Sequence, residues 1–65
     1  MKEEFEVLEY QGFVGSAEYD EYEELWYGKV CNTPDTIRYE GLTFQEMRDD
    51  FEAAVDEYIL NLNNI

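Results

Sequence analysis

Residues 43–62, with the sequence TFQEMRDDFEAAVDEYILNL, carry the strongest periodic signal in the chain. Apolar side chains recur there at spacings of three and four residues, which is typical of a helix with one buried face. Thr43 followed three residues later by Glu46 forms a capping-box pattern, which starts a helix. The sequence therefore predicts a helix over residues 44–62. Its apolar stripe consists of Phe44, Met47, Phe51, Ala54, Val55, Tyr58, Leu62 and Ile65.

Upstream of this helix, the chain is typical of β-strands separated by polar turns. Residues 6–20 alternate between two faces, and shorter strands are predicted at residues 25–30 and 36–40. Gly12 and Gly15 weaken the first strand, so we expect a bulge or a close approach by the helix near them. The prediction is a single α+β domain over residues 1–65. It consists of a three-stranded antiparallel sheet with one C-terminal helix packed on one face.

The aromatic residues divide between the predicted core and the predicted surface. An apolar outward sheet face without a second helix over it indicates dimerisation or partner docking. That face is expected to carry Val14, Leu25 and Tyr27, and Tyr10 is placed there or on a turn. The residues assigned to the core are Phe13, Tyr19, Trp26, Phe44, Phe51 and Tyr58.

The charge of the chain limits what it can bind. It holds 17 acidic residues and four basic ones, which gives a net charge of −13 at pH 7. Such a charge repels DNA, RNA and anionic membranes. Because 45% of the residues are hydrophobic, the chain is predicted to fold and not to remain a disordered acidic tail. We therefore expect a basic protein partner, with no direct binding to nucleic acid or membranes.

The residues that common catalytic chemistry needs are missing from the sequence. The chain has no histidine and no glycine-rich phosphate loop, so the usual general base and phosphate-binding parts are absent. Cys31 has no histidine to activate it. The acidic turn at residues 20–24 lacks the glycine and terminal glutamate of a calcium-binding EF-hand loop. We predict a protein that is not an enzyme and needs no cofactor or metal ion.

The cysteine content and the N-terminal residues predict a compartment. One cysteine cannot form an intrachain disulfide, which favours a reducing environment. Residues 1–6 carry charges where a signal peptide needs an apolar core, and no apolar run is long enough to span a bilayer. The expectation is a cytoplasmic protein that is a monomer or a weak homodimer.

The acidic residues of the predicted helix indicate an interface. Six acids lie within residues 46–57 against one base, Arg48, whereas a helix that needs only solubility mixes both signs. Residues three or four apart on a helix lie about 5–6 Å apart, so their carboxylates can imitate a row of phosphates. Tyr22 and Tyr27 are added as interface anchors. The predicted partner-binding acids are Glu46, Asp49, Asp50, Glu52, Asp56 and Glu57 on the helix and Glu18, Asp20, Glu21, Glu23 and Glu24 around the turn.

Four segments in order make the chain similar to a known family. They are YQGFVGSAEYDEYEELWYGKV, TIRYEG, LTFQEM and DDFEAAVDEYI. Over roughly residues 8–62 the chain resembles the N-terminal domain of HicB-family antitoxins. The resemblance implies a partial ribonuclease-H-like fold and binding to HicA, a small basic toxin that cleaves mRNA. The sequence ends at Ile65 without the DNA-binding domain that many members carry, so we expect a stand-alone form.

Three functions are compatible with these features. The first is a phage or mobile-element inhibitor that acts as a DNA mimic, as anti-CRISPR proteins do, and denies target DNA to a CRISPR surveillance complex. The second is a HicB-like antitoxin that neutralises a HicA-type toxin. The third is a structural dimer or assembly module that uses Val14, Leu25 and Tyr27. The degree of acidity favours the first.

Overall fold

An antiparallel sheet followed by one helix makes up the fold, and the computed structural model describes residues 6–63 of it. The sheet has the strand order β1-β2-β3-β4, so each strand pairs with its neighbours in the chain. The α+β arrangement with a C-terminal helix is confirmed, whereas the predicted number of three strands was wrong. The elements are β1 (Glu6–Tyr10), β2 (Phe13–Asp20), β3 (Leu25–Lys29), β4 (Arg38–Gly41) and α1 (Phe44–Asn63).

The single strand predicted over residues 6–20 is in fact two strands joined by a tight turn. Tyr10 pairs with Phe13, and the two residues between them, Gln11 and Gly12, have φ angles of 54° and 83°. Positive φ at both loop positions is what a two-residue hairpin of type I′ requires, and glycine adopts it without strain. Gly12 therefore marks a reversal of the chain and not a bulge.

The core lies between one sheet face and the apolar stripe of α1, as predicted. Ile59, which the stripe omitted, packs against this core. The core does not extend to Leu62, which is 51% exposed, so its assignment to the buried stripe was wrong. Ile65 lies outside the described residues. The buried hydrophobic residues are Leu8, Ala17, Val30 and Tyr39 from the sheet side and Met47, Phe51 and Val55 from α1.

Two tyrosines lie elsewhere than predicted. Tyr19 was assigned to the core but is 46% exposed, because it lies at the sheet end and packs only its ring against Trp26, at a centroid distance of 5.2 Å. The sequence analysis placed Tyr10 on the outward sheet face or on a turn. The unforeseen hairpin puts it opposite Phe13, on the helix side, where it packs against the core.

Tyr39 closes a gap in the sheet between β2 and β3. These strands pair from Glu18↔Tyr27 to Asp20↔Leu25 and meet again at Gly15↔Val30. Between these points the Tyr39 hydroxyl lies 2.7 Å from the carbonyl oxygen of Ser16 and 3.1 Å from that of Lys29, and donates to both.

The Tyr39 ring fits because two glycines leave room for it. A Cβ atom at Gly15 would overlap the Tyr39 hydroxyl and press on the Phe51 ring, and one at Gly28 would overlap the Ser16 carbonyl. The close approach predicted near Gly15 is thus confirmed, since Phe51 belongs to the helix. Tyr39 joins β2, β3, β4 and α1 at one point, with its ring centroid 5.0 Å from that of Phe51.

The start of α1 is fixed by the predicted capping box. The Thr43 hydroxyl accepts a hydrogen bond from the Glu46 amide at 3.1 Å. The Glu46 carboxylate in turn accepts one from the Leu42 amide, also at 3.1 Å. The first bond satisfies an amide of the first turn that the helix itself leaves without a partner, and the second ties Glu46 to the residue before Thr43.

Replacing Tyr39 with phenylalanine should destabilise the fold while keeping the ring packing. The variant removes the donor that the Ser16 and Lys29 carbonyl groups share, so we expect the free energy of unfolding to fall by about 1–2 kcal/mol. Urea denaturation measures this change. Tyr22→Phe is the matched control, because Tyr22 is 97% exposed. Equal stability of the two variants would show that the Tyr39 hydroxyl is not needed.

Alkaline pH should unfold the protein through the same hydroxyl. Burial raises the pKa of Tyr39 from 10.0 to about 12. The unfolded chain therefore loses this proton first as pH rises, so the contribution of Tyr39 is complete below pH 10 and is lost between pH 10 and about 12. Urea denaturation across this pH range should show a steeper loss of stability for the wild type than for Tyr39→Phe. Parallel losses would contradict the assignment.

Candidate functional site

The turn between β2 and β3 presents its acidic side chains to solvent. One Asp20 carboxylate oxygen accepts hydrogen bonds from the backbone amides of Tyr22, at 2.9 Å, and Glu23, at 3.2 Å. This fixes the turn. Tyr22 and the acids Glu21, Glu23 and Glu24 are exposed, as the sequence predicted, whereas Asp20 is half-buried and holds the turn together.

Three of the predicted helix acids also bond to other parts of the fold. Glu46 belongs to the capping box. Asp50 accepts a hydrogen bond from the Glu40 backbone amide at 3.0 Å, and Asp56 accepts one from the Tyr10 hydroxyl at 3.2 Å. Residues of β4 and β1 hold Asp50 and Asp56 in place, and the loop before the helix holds Glu46, so these carboxylates have limited freedom.

The other predicted helix acids are engaged within the helix or carry no bond in the described residues. Asp49 accepts a hydrogen bond from the Gln45 side chain at 3.0 Å. Glu52 lies 3.6 Å from Arg48 in an ion pair. Glu57 is exposed and forms no side-chain hydrogen bond with another described residue.

The fold brings the turn and the start of the helix to the same end of the molecule. Trp26 follows the turn, pairs with Gly41 and packs its ring edge-on against Phe44, the first residue of α1, at 5.2 Å. Acids from two distant segments therefore share one surface. We call it the acidic end, and it comprises Asp20, Glu21, Glu23, Glu24, Glu46, Asp49 and Asp50.

The structure separates Asp56 and Glu57 from this end, whereas Tyr27 lines the same depression as Asp20 and Asp50. Asp56 and Glu57 lie in the second half of α1, where Asp56 bonds to Tyr10 of β1. At the 1.5 Å rise of an α-helix, Glu57 lies about 12 Å along the axis from Asp49. Glu18 and Tyr27 are neighbours on the outward sheet face. The single continuous row of carboxylates predicted for the helix is therefore divided between its two halves.

Glu40 is an acid that the sequence analysis overlooked. Together with Asp20 and Asp50 it lines a shallow depression beside β4, and with Glu46 and Asp49 it lines a second one. The alternation of residues 37–40 is compatible with an outward Glu40, on the same face as Arg38. That signal was present, but only the pairing of β4 with the helix shows its proximity to the acidic end.

Among the described residues, no acid of the acidic end forms an ion pair, although Arg38 lines the same depression as Asp20 and Asp50. In that part of the chain, the one ion pair joins Arg48 and Glu52, outside the acidic end. Lys29 and Arg38 are paired with each other across β3 and β4, on the sheet face. Like charges this close together repel one another, and they attract a basic surface over a long range.

Hydrogen bonds to carboxylates raise the pKa of two tyrosines, the exposed Tyr27 and the half-buried Tyr10. The Tyr27 hydroxyl donates to Glu18 at 3.1 Å, and this bond, with the charge of Glu18, raises the pKa of Tyr27. The bond to Asp56 raises the pKa of Tyr10 in the same way. Tyr27 is exposed on the sheet face, as predicted for an interface anchor, but its hydroxyl already has an acceptor.

Within residues 6–63, no group of three or more histidine, cysteine, aspartate or glutamate residues could hold a metal ion. No helix of that region is long and apolar enough to cross a membrane.

Comparison of the chain with protein-family models, with curated proteins and with solved structures finds no match. The similarity to HicB-family antitoxins remains a prediction from the sequence.

Asp50 should contribute to stability while its neighbour Asp49 should not. Asp50→Ala removes the acceptor of the Glu40 amide at the sheet edge, and we expect it to lower the free energy of unfolding by about 1 kcal/mol. Asp49→Ala should change it by less than about 0.5 kcal/mol. Both variants remove one aspartate from adjacent helix positions, so helix propensity and charge are matched. Equal urea midpoints would show that the bond to β4 contributes nothing.

Proposed function

We propose that this protein is a non-enzymatic inhibitor whose acidic end occupies the basic nucleic-acid-binding surface of a partner protein. The observation that carries the proposal is the convergence of acids from the β2–β3 turn and the start of α1 on one surface. Among the described residues, no acid of this surface is held in an ion pair with a lysine or arginine. A protein surface that binds DNA or RNA is lined with these two residue types, so it would attract the acidic end.

The way the carboxylates are held supports mimicry over simple solubility. Asp20, Glu46 and Asp50 each accept backbone amides at 2.9–3.2 Å, so their positions are set before a partner arrives. Binding then costs less side-chain entropy than it would for freely rotating carboxylates. Long-range attraction between the acidic end and a basic groove should make association fast and sensitive to salt.

The partner we propose is a subunit of a CRISPR surveillance complex, whose basic surface reads or holds target DNA. A small acidic protein bound there would prevent target recognition, as anti-CRISPR proteins do. The support for this choice is the size and charge of the chain. The second candidate is a HicA-type toxin, supported by the similarity of four sequence segments to HicB-family antitoxins. Both partners are basic proteins, so one assay can include them together.

The proposed partners can be tested with purified components. The protein is immobilised and offered a type I surveillance complex, the same complex preloaded with target duplex, and a HicA-type toxin, each at low and high salt. We expect capture of the free complex, loss of capture after DNA loading, and weaker capture at high salt. Capture of the toxin alone would replace the inhibitor with an antitoxin. Capture of neither at low salt would overturn both candidates.

Two double variants test whether partner binding depends on where the acidic charges lie or only on how many there are. Glu23→Gln with Asp49→Asn removes two charges from the acidic end. Glu9→Gln with Glu57→Gln removes two charges from outside it and serves as the matched control. We expect the first pair to weaken partner binding about tenfold more than the second, measured by titration calorimetry. Equal weakening would show that total charge, and not the acidic end, determines binding.

A further inference from the structure

The outward face of the sheet carries two rows of opposite charge. Side chains one residue apart point to opposite faces, so residues two apart on each strand share this face. The first row, which we call the acidic row, runs across the strands through Glu18, Tyr27 and Glu40. The second, which we call the basic row, runs through Ser16, Lys29 and Arg38.

The basic row holds two of the four basic residues of the whole chain. Lys29 and Arg38 are directly opposite each other in the β3–β4 register, and both are exposed. Like charges at directly opposed positions destabilise a sheet. Neither residue forms an ion pair with an acid of residues 7–63. A chain with 17 acids therefore carries an exposed pair of cations that none of its described acids holds in an ion pair, although Glu18 lines the same depression.

We propose that two copies of this chain pair face to face through their outward sheet faces, about a two-fold axis that runs across the strands between the two rows. Such an axis reverses the strand direction and exchanges the rows. Arg38 then faces Glu40 of the second copy, and Lys29 faces Tyr27 of the second copy. Every contact occurs twice, as in any isologous interface.

The spacing of the rows suits this arrangement. Glu40 and Arg38 are two residues apart on β4, and Tyr27 and Lys29 are two residues apart on β3, so the rows are about 7 Å apart on each strand. One operation therefore aligns both pairs. Half-buried Val14 and Leu25 lie on the same face and supply apolar area around the charges.

The same charges explain why this face suits a second copy and not the basic partner of the acidic end. Lys29 and Arg38 would repel a lysine- and arginine-rich surface, whereas a second copy offers an acid for Arg38 and an aromatic ring for Lys29. The two associations should also respond to salt in opposite directions. Salt screens the repulsion between two copies of net charge −13 and so favours pairing, but it weakens attraction to a basic partner.

Charge exchange tests the pairing directly by sedimentation equilibrium of the purified protein at moderate salt. Arg38→Glu alone and Glu40→Arg alone should each raise the dimer dissociation constant about tenfold or more, because each places like charges together twice. An equimolar mixture of the two variants should regain dimers, since each contact again joins an acid and a base. Glu21→Arg is the matched control, because it makes the same change of charge in the β2–β3 turn, outside the proposed interface. It should leave the dimer dissociation constant at the wild-type value.

Recovery of dimers in the mixture would establish the contact between copies, since a contact within one chain cannot be restored by mixing. A wild-type protein that remains monomeric up to millimolar concentration, or a mixture that stays monomeric, would overturn the proposal. Circular dichroism of each variant checks that the fold is retained. The assay contains no partner protein, so its outcome is independent of the proposed inhibitor function.

Discussion

The hydroxyl group of Tyr39 joins the edge strand β4 to both β2 and β3. The Tyr39 side chain extends from β4 past Gly28 to Gly15. Its hydroxyl group lies between the carbonyl groups of Ser16 and Lys29, where β2 and β3 are not paired with each other. Phe51 of α1 packs against the same ring. Only seven hydrophobic residues are buried in the described structure. In so small a core, a contact that connects three strands and the helix contributes a large share of the stability.

The parts of the fold that could be predicted are those set by local patterns. The helix follows from the spacing of Met47, Phe51 and Val55 and from its capping box, because both signals act within a few residues. The β1–β2 turn was missed because Gln11 is not one of the residues that commonly mark a two-residue hairpin. The alternation of residues between two faces continues through that turn, so the pattern did not distinguish one long strand from a hairpin.

The candidate site was predictable in its residues but not in its grouping. Exposure of the acids at residues 21–24 and on α1 follows from polarity alone. Their meeting at one end depends on the pairing of Trp26 with Gly41 and on the contact between Trp26 and Phe44, which are separated in sequence and leave no local signal. For the same reason, only the hydrogen bond between the Glu40 amide and Asp50 shows that Glu40 lies near the acidic end.

The order of the strands has a consequence for how the molecule folds. Each strand pairs with the one before it, and α1 follows the edge strand β4 directly, so most contacts close short loops. Chains with such low contact order reach the native state quickly, because little chain entropy is lost before each contact forms. Longer loops also close, such as the one between Tyr39 and Ser16, which spans 23 residues, and the one between Tyr10 and Asp56, which spans 46. We expect the loop closed by Tyr39 to form late, so that loss of this single phenol should speed unfolding more than it slows refolding.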